Sequence, residues 1–322
     1  MTAPPMVSVA MPVSRQASVV RRALESVLAQ DLGDFEILIG DETGEIEALV
    51  AQMGDPRIDY RKNPQRLGFT LNHRAVLDRA QGRYVAILHD DDWWEPTYLS
   101  SLVGVMEAQP GVGMACCTTV LSDDRGESWV WPIPVKEGRT DDVVNVLLHE
   151  DWFLLPISTV WRASLWAGPV RQWPELRCSD LHLFLAIAEA GWSLFYLEEP
   201  LAHWSQHHGQ SGAWRGSDNG LGVANDTLAF WEGWLQGRSE EVAERVSRQR
   251  ARWYLRQARA LLLDGRGRDS RAALRQAAAL ARDTHIDRGE LPGLLPLSLA
   301  TRLPARAVRA AVGLKRVVTE RR

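Results

Sequence analysis

Through the first 110 residues, short apolar runs alternate with stretches whose apolar positions recur every three or four residues. Val7-Ser8-Val9-Ala10-Met11-Pro12 predicts a strand that stops at a proline, and Val20, Leu24, Val27 and Leu28 follow at helical spacing. Phe35–Gly40 predicts a second strand, and Ile46, Leu49 and Val50 a short helix. A third strand is expected over 57–61, and Leu71, Ala75 and Val76 mark a helix reaching Gly82. Tyr84-Val85-Ala86-Ile87-Leu88 is a continuous apolar run, as in a parallel strand buried on both faces. Leu99, Leu102, Val103 and Met106 fall on one helical face. Pro96 suits the first turn of that helix, where a missing N–H costs nothing. This alternation predicts an α/β fold with a doubly wound, mostly parallel sheet and flanking helices.

Beyond residue 110 the pattern loosens. Strands are expected at 112–119, 158–162 and 191–197, with an irregular stretch over 122–140. Leu181, Phe184, Leu185 and Ala188 give a buried helical face. Residues 222–322 read as helical: one long Arg-rich helix over 239–263 stopped by Gly265, an Ala-rich helix capped by Asp269 or Ser270, and a third opening at Thr301 and Pro304.

Composition adds two things to that picture. The net charge of −4 hides a division, since residues 239–322 carry 19 Lys and Arg against 9 Asp and Glu, whereas 1–238 carry 18 against 32. An acidic front and a basic tail suggest separate jobs. Tryptophan is abundant, and 11 of the 14 copies fall between residues 93 and 214, where indole faces suit sugar rings as well as core packing. The three cysteines Cys116, Cys117 and Cys178 have no zinc-like spacing and read as buried thiols in a reducing compartment. The N-terminus lacks the basic and apolar regions of a signal peptide, and no apolar run is long enough to span a bilayer.

The candidate chemistry sits where the apolar run 84–88 ends. His89 is followed by Asp90, Asp91 and Asp92, three consecutive carboxylates at the carboxyl end of a predicted strand, where open α/β sheets bind ligands. A divalent cation relieves their repulsion, and Mg²⁺ or Mn²⁺ takes one or two carboxylates and completes its shell with water and substrate phosphate. Ser14, and Asp41 with Glu42, end the first two strands and converge on the same crevice if the strands are parallel. Gly-rich phosphate loops are absent, which leaves a metal and side chains such as Arg66 to meet phosphate charge.

These segments resemble a family-2 glycosyltransferase with the GT-A fold. The resemblance rests on Val7–Ser14, Arg21–Gln30, Phe35–Thr43, Gly68–Gly82 and Tyr84–Pro96, and extends over about residues 6–215. It implies that Pro12 and Ser14 lie along the nucleotide, that Asp41 and Glu42 are an acidic pair at a uracil ring, and that Arg66 serves the base or diphosphate. Asp90 then contacts ribose, Asp91 the metal, and Asp92 the donor sugar. The resemblance also implies that Asp180 is the catalytic base and that His207 helps the metal. Trp93 and Trp161 are expected beside donor or acceptor. Two positions depart from the pattern: His89 stands where an aspartate is usual, and Ser179 where a glutamate is usual.

The expected organisation is a nucleotide-sugar-binding half over 1–110, an acceptor-binding half over 111–220, and a helical extension over 221–322. The expected activity is inverting transfer from a nucleotide-diphosphate sugar, most naturally UDP-linked, to a carbohydrate, lipid-linked or small-molecule acceptor, with Mg²⁺ or Mn²⁺. A cytoplasmic protein is expected, with peripheral membrane contact through the basic third helix and no nucleic-acid partner. The rival reading is a decayed transferase fold that binds carbohydrate without turnover, motivated by His89 and Ser179.

Overall fold

The computed structural model describes residues 3–123, 125–149, 153–171, 174–176, 178–206 and 217–283. The chain divides into two compact units. Met1–Glu175 with Ser179–His207 forms the first, and Leu176–Cys178 with His208–Arg322 the second.

The first unit opens with the predicted alternation, although the first strand runs through Pro12 to Val13 and the helix expected to reach Gly82 ends at Leu77. β1 (Val7–Val13), α1 (Ala17–Leu28), β2 (Phe35–Asp41), α2 (Glu47–Met53), β3 (Ile58–Lys62), α3 (Phe69–Leu77) and β4 (Tyr84–Ile87) alternate strand and helix. β3, β2, β1 and β4 are neighbours in that order and all parallel, so their carboxyl ends lie along one edge. All four residues of β4 are buried, Val85 and Ile87 each contributing about 1.5–3 kcal/mol relative to exposure. Gly40 lets α3 sit directly on β2. A Cβ there would meet Asn72 Oδ1 and Val76 Cγ2 at 2.6 Å, and the Asn72 side-chain N–H donates to the Gly40 carbonyl at 3.0 Å.

β5 (Trp93–Trp94), α4 (Tyr98–Ala108), β6 (Val112–Asp123), β7 (Ser128–Val130), β8 (Gly138–Thr140), α5 (Val143–His149), β9 (Thr159–Arg162), α6 (Gly168–Arg171), α7 (Ser179–Glu189) and β10 (Ser193–Gln206) complete this unit. The sheet continues from β4 through β9, β6 and β10 to β5. β9 runs antiparallel to both neighbours, and β10 runs parallel to β6. Three details differ from expectation. Pro96 precedes the helix instead of opening it, since α4 starts at Tyr98 after Thr97. The stretch 122–140 holds two short strands, β7 and β8. Trp93 and Trp94 form a two-residue strand because β10 arrives beside them, pairing Ala202 with Trp94 and His203 with Trp93.

The second unit contains α8 (Ser217–Trp234), α9 (Glu240–Arg245), α10 (Ser247–Leu263) and α11 (Gly267–Asp283). The long helix expected over 239–263 is two, divided at the fully buried Val246. Its predicted stop is where the structure ends it. Gly265 takes φ +80° and the Arg266 N–H reaches back to the Leu261 carbonyl at 2.8 Å. Ser270 is not a cap: it lies inside α11, where its hydroxyl donates to the Ala258 carbonyl of α10 at 2.7 Å. Leu255, Ala258 and Leu261 of α10 pack with Ala273, Leu274 and Ala277 of α11 in a small core. The third predicted helix, at Thr301, lies outside the described residues. No helix among the described residues is long and apolar enough to cross a membrane.

Candidate functional site at the carboxyl edge of the sheet

The acidic triplet occupies the turn between β4 and β5. Its members are held by different parts of the fold. Asp90 is 6% exposed and accepts the Ser14 backbone N–H at 2.7 Å, so the end of β1 fixes it. Arg15, which the sequence reading did not single out, reaches both neighbours. Its Nε lies 3.5 Å from Asp90 Oδ1, and a terminal guanidinium nitrogen lies 3.3 Å from Asp91 Oδ2. Burial, and Asp91 beside it, push the Asp90 carboxyl up, against the pull of the Ser14 N–H and Arg15. Asp92 is 1% exposed and accepts the Ser205 backbone N–H of β10 at 2.9 Å. The turn is thus fastened to β1 on one side and to β10 on the other.

His89 lies 3.4 Å from Asp92 through its Nδ1 and packs edge-on to His73 of α3, ring centres 5.4 Å apart. Burial pulls both imidazoles down, His73 to about 3, with His89 as a second cause. A neutral His73 donates its Nδ1–H to the Phe69 carbonyl at 2.7 Å. The departure at His89 therefore replaces an acid with part of an aromatic wall. That wall runs through His73 to Phe69, whose ring centre is 4.1 Å from that of His73 and which remains 42% exposed.

The end of β2 carries Asp41 and Glu42, and each does local work. Asp41 is fully buried. The Thr43 N–H and hydroxyl donate to its Oδ1 at 2.8 and 2.9 Å, and the Tyr60 hydroxyl and Ile46 N–H donate to its Oδ2 at 3.0 and 3.4 Å. Burial pushes this carboxyl up, but the donors from Thr43, Gly44 and Tyr60 outweigh it and hold it below its ordinary value. Glu42 Oε1 accepts the Leu67 and Gly68 N–H groups at 2.8 and 2.7 Å, which ties down the loop bearing the exposed Arg66. The Glu42 N–H in turn donates to the Val13 carbonyl at 2.9 Å, closing β2 onto β1. Pro12 lies buried within β1 opposite Gly40.

Asp41→Asn is expected to cost about 1–3 kcal/mol of stability near pH 7, because the amide turns an acceptor into a donor facing other donors. The folded carboxyl lies below its ordinary value of 3.8, so its contribution is complete above that pH and fades as pH falls through the lower folded value. Urea unfolding of both proteins should show the gap narrowing toward pH 3. A gap independent of pH assigns the loss to packing instead.

The two tryptophans expected at the ligand are occupied by the fold. Trp93 stacks on His203 at 3.5 Å between ring centres and 6° between planes, and the Arg22 guanidinium lies 4.2 Å from the same ring. The stacked imidazole and the guanidinium thus engage the Trp93 ring within the fold. Glu95 completes this cluster through His203 Nε2 at 2.9 Å. Trp161 has no exposed surface at all; it lies in β9 between Val85 of β4 and Met114 of β6. Other tryptophans are also tied in. Trp94 donates to the Ile157 carbonyl at 2.6 Å, and Trp131 donates to the Phe153 carbonyl at 2.9 Å.

Asp180 belongs to a different element, α7. It is 8% exposed in the first turn of α7, where the helix dipole favours a carboxylate. His207 lies outside the described residues. Among the described residues no three His, Cys, Asp or Glu side chains converge as a protein-built metal cage. The donor set at Asp90 and Asp91 suits a different kind of site. These adjacent, largely buried carboxylates already draw a guanidinium to both, and hard divalent cations bind through one or two carboxylates and substrate phosphate.

Comparison with known proteins bears on the family and the fold. Residues 8–157 match the model of Glycosyl transferase family 2. An uncharacterized protein of Mycobacterium tuberculosis is 34% identical over 177 residues, 51% of this chain and 55% of that protein. An Escherichia coli protein, UDP-Glc:alpha-D-GlcNAc-diphosphoundecaprenol beta-1,3-glucosyltransferase WfaP, is 29% identical over 32% of this chain and 42% of its own length. The chain thus spans about half the length of these relatives. Among solved structures, the mannosyltransferase PcManGT of Pyrobaculum calidifontis, in complex with GDP-Man and Mn²⁺, aligns with a TM-score of 0.56 at 19% identity. That alignment covers 98% of this chain and 87% of the other. At that identity the likeness is one of fold, and the fold is GT-A: a central, mostly parallel sheet with flanking helices, followed here by C-terminal helices.

Proposed function

We propose that this chain, whose residues 8–157 match the model of Glycosyl transferase family 2, transfers a sugar from a nucleoside-diphosphate donor to an acceptor hydroxyl. The observation that carries the reading is the fastening of Asp90 and Asp91, at the carboxyl edge of β4, to Ser14 and Arg15 at the end of β1. Such an edge is where open α/β sheets take nucleotides.

The donor runs along the ends of β1 and β2, with Ser14 and Asp90 toward the ribose and Glu42 with the Arg66 loop toward the base. UDP is the nucleotide of choice, because the E. coli relative is named for UDP-Glc. Asp91, joined by His207 as the family resemblance implies, would hold a divalent cation, which would neutralise charge on the departing diphosphate. Asp180 accepts the proton of the acceptor hydroxyl as its oxygen attacks the anomeric carbon. The bond to the diphosphate breaks on the opposite side, the nucleoside diphosphate leaves, and the anomeric configuration inverts. The relative's lipid-linked diphosphate acceptor makes a polyprenyl-diphosphate sugar the first acceptor to try. Peripheral membrane contact through the basic tail belongs to the same reading.

The test is a transfer assay. The full chain is incubated with Mn²⁺ and UDP-Glc, UDP-GlcNAc or GDP-Man, with and without a polyprenyl-diphosphate GlcNAc acceptor, and nucleoside diphosphate release is followed. Acceptor-dependent release of UDP, with a β-linked product from an α-linked donor, is the expected result. No acceptor-dependent release from any donor contradicts the reading.

A further inference from the structure

Arg15 is a cation at the acidic edge to which the mechanism above gives no task. It lies past the end of β1 and before α1 begins at Ala17. Its guanidinium spans Asp90 and Asp91 at 3.5 and 3.3 Å, longer than the roughly 2.7–2.9 Å of a tight charge-assisted bond. Asp90 does not depend on Arg15 for its position, since the Ser14 backbone N–H holds it at 2.7 Å. The Arg15 side chain is 25% exposed whereas those of the two carboxylates are 9% and 8% exposed, so the guanidinium covers them from the solvent side. The guanidinium therefore sits on the solvent side of both carboxylates, in longer contact than a tight ion pair.

We propose that Arg15 is an exchangeable counter-charge: it covers Asp90 and Asp91, competes with a divalent cation for Asp91, and on cation binding turns to the donor diphosphate. This rests on the transferase reading above. The physical reason is charge balance. Asp90 and Asp91 are adjacent and shielded from water, so their repulsion needs a cation at all times. A divalent ion on the same oxygens repels a guanidinium within about 4 Å. The diphosphate that arrives with the ion offers two new anionic groups in a geometry that suits a planar fork. Arg15 thereby makes cation and nucleotide bind together rather than separately. The metal alone is disfavoured by Arg15, and the metal with diphosphate is favoured by it.

The test uses the full chain with Arg15→Gln and Arg15→Lys, titrated calorimetrically with Mn²⁺ alone and then with UDP at saturating Mn²⁺. Arg15→Gln should bind Mn²⁺ alone about tenfold more tightly than wild type and UDP about tenfold more weakly, each change being about 1.4 kcal/mol. Arg15→Lys keeps the charge and should stay within about threefold of wild type for Mn²⁺ alone. Damage to the site weakens both ligands together, so opposite shifts are the signature. Unchanged or weaker Mn²⁺ binding in Arg15→Gln overturns the proposal. If wild type binds UDP with Mn²⁺ while Arg15→Gln shows no opposite shifts, only the role of Arg15 fails. If no form binds UDP with any metal, the transferase reading fails with it.

Discussion

Asp91→Asn lowers turnover by about a thousandfold or more at saturating donor and metal, while the protein unfolds at the same temperature or slightly higher. The loss follows from what a cation does for a departing diphosphate, which is worth several kcal/mol, with each 1.36 kcal/mol a factor of about ten. Asparagine keeps the shape and an oxygen but removes the charge that anchors the ion. The fold does not need that charge. Burial and Asp91 already push the Asp90 carboxyl up, so removing one of two adjacent carboxylates relieves repulsion. Steady-state rates at increasing Mn²⁺, with a thermal melt of the same sample, check both halves. A variant that keeps more than about a tenth of wild-type turnover removes Asp91 from the site.

Asp180→Asn is expected to lower kcat by about a hundred- to ten-thousandfold, the range for loss of a positioned general base. Affinity for UDP with Mn²⁺ should stay as in wild type, because Asp180 belongs to α7 and the nucleotide is assigned to the ends of β1, β2 and β4. Asparagine is tolerated at a helix start, and loss of the charge–dipole term costs only about 0.3–1 kcal/mol. A carboxylate that serves only the helix would show that small stability loss with turnover intact. Calorimetry with UDP alongside transfer rates separates the two roles. A parallel loss of binding and turnover would point to a collapsed site.

Much of this architecture could be read from residue order because its signal is local. β1, β2 and β4 are short runs of apolar side chains, and a parallel strand covered on both faces needs nothing else. Their polar ends, Ser14, Asp41 with Glu42, and Asp90 with Asp91, mark one edge of the sheet, since parallel strands all finish on the same side. What the residues could not convey is pairing between distant segments. β5 exists because His203 and Ala202 of β10 pair with Trp93 and Trp94, a contact spanning more than a hundred residues. The covering of Trp93 by His203 and Arg22 depends on the same arrival of β10. A tryptophan count alone does not distinguish rings engaged by the fold, such as Trp93 and the fully buried Trp161, from rings open to a ligand.

Arg15 and Asp41 illustrate the same limit at closer range. Nothing in the order Ser14-Arg15-Gln16 says that the arginine turns toward a loop 75 residues away, although a cation next to a strand end facing acids is a sign worth following. Asp41 looks like Glu42 in the sequence, yet its carboxyl turns inward to Thr43, Ile46 and Tyr60. The break at the fully buried Val246 has no glycine or proline to announce it.

The central claim is that the edge built from Ser14, Glu42, Asp90 and Asp91 binds a metal–nucleotide pair. Calorimetric titration of UDP, dTDP and GDP into the full chain, with and without Mn²⁺, on wild type and Asp91→Ala, tests it most directly. Binding of UDP in preference to dTDP and GDP, present with Mn²⁺ and lost both without it and in Asp91→Ala, is the predicted result. Nucleotide binding that ignores the metal and Asp91, or no binding of any nucleotide, contradicts the claim and favours a transferase fold retained for holding carbohydrate alone.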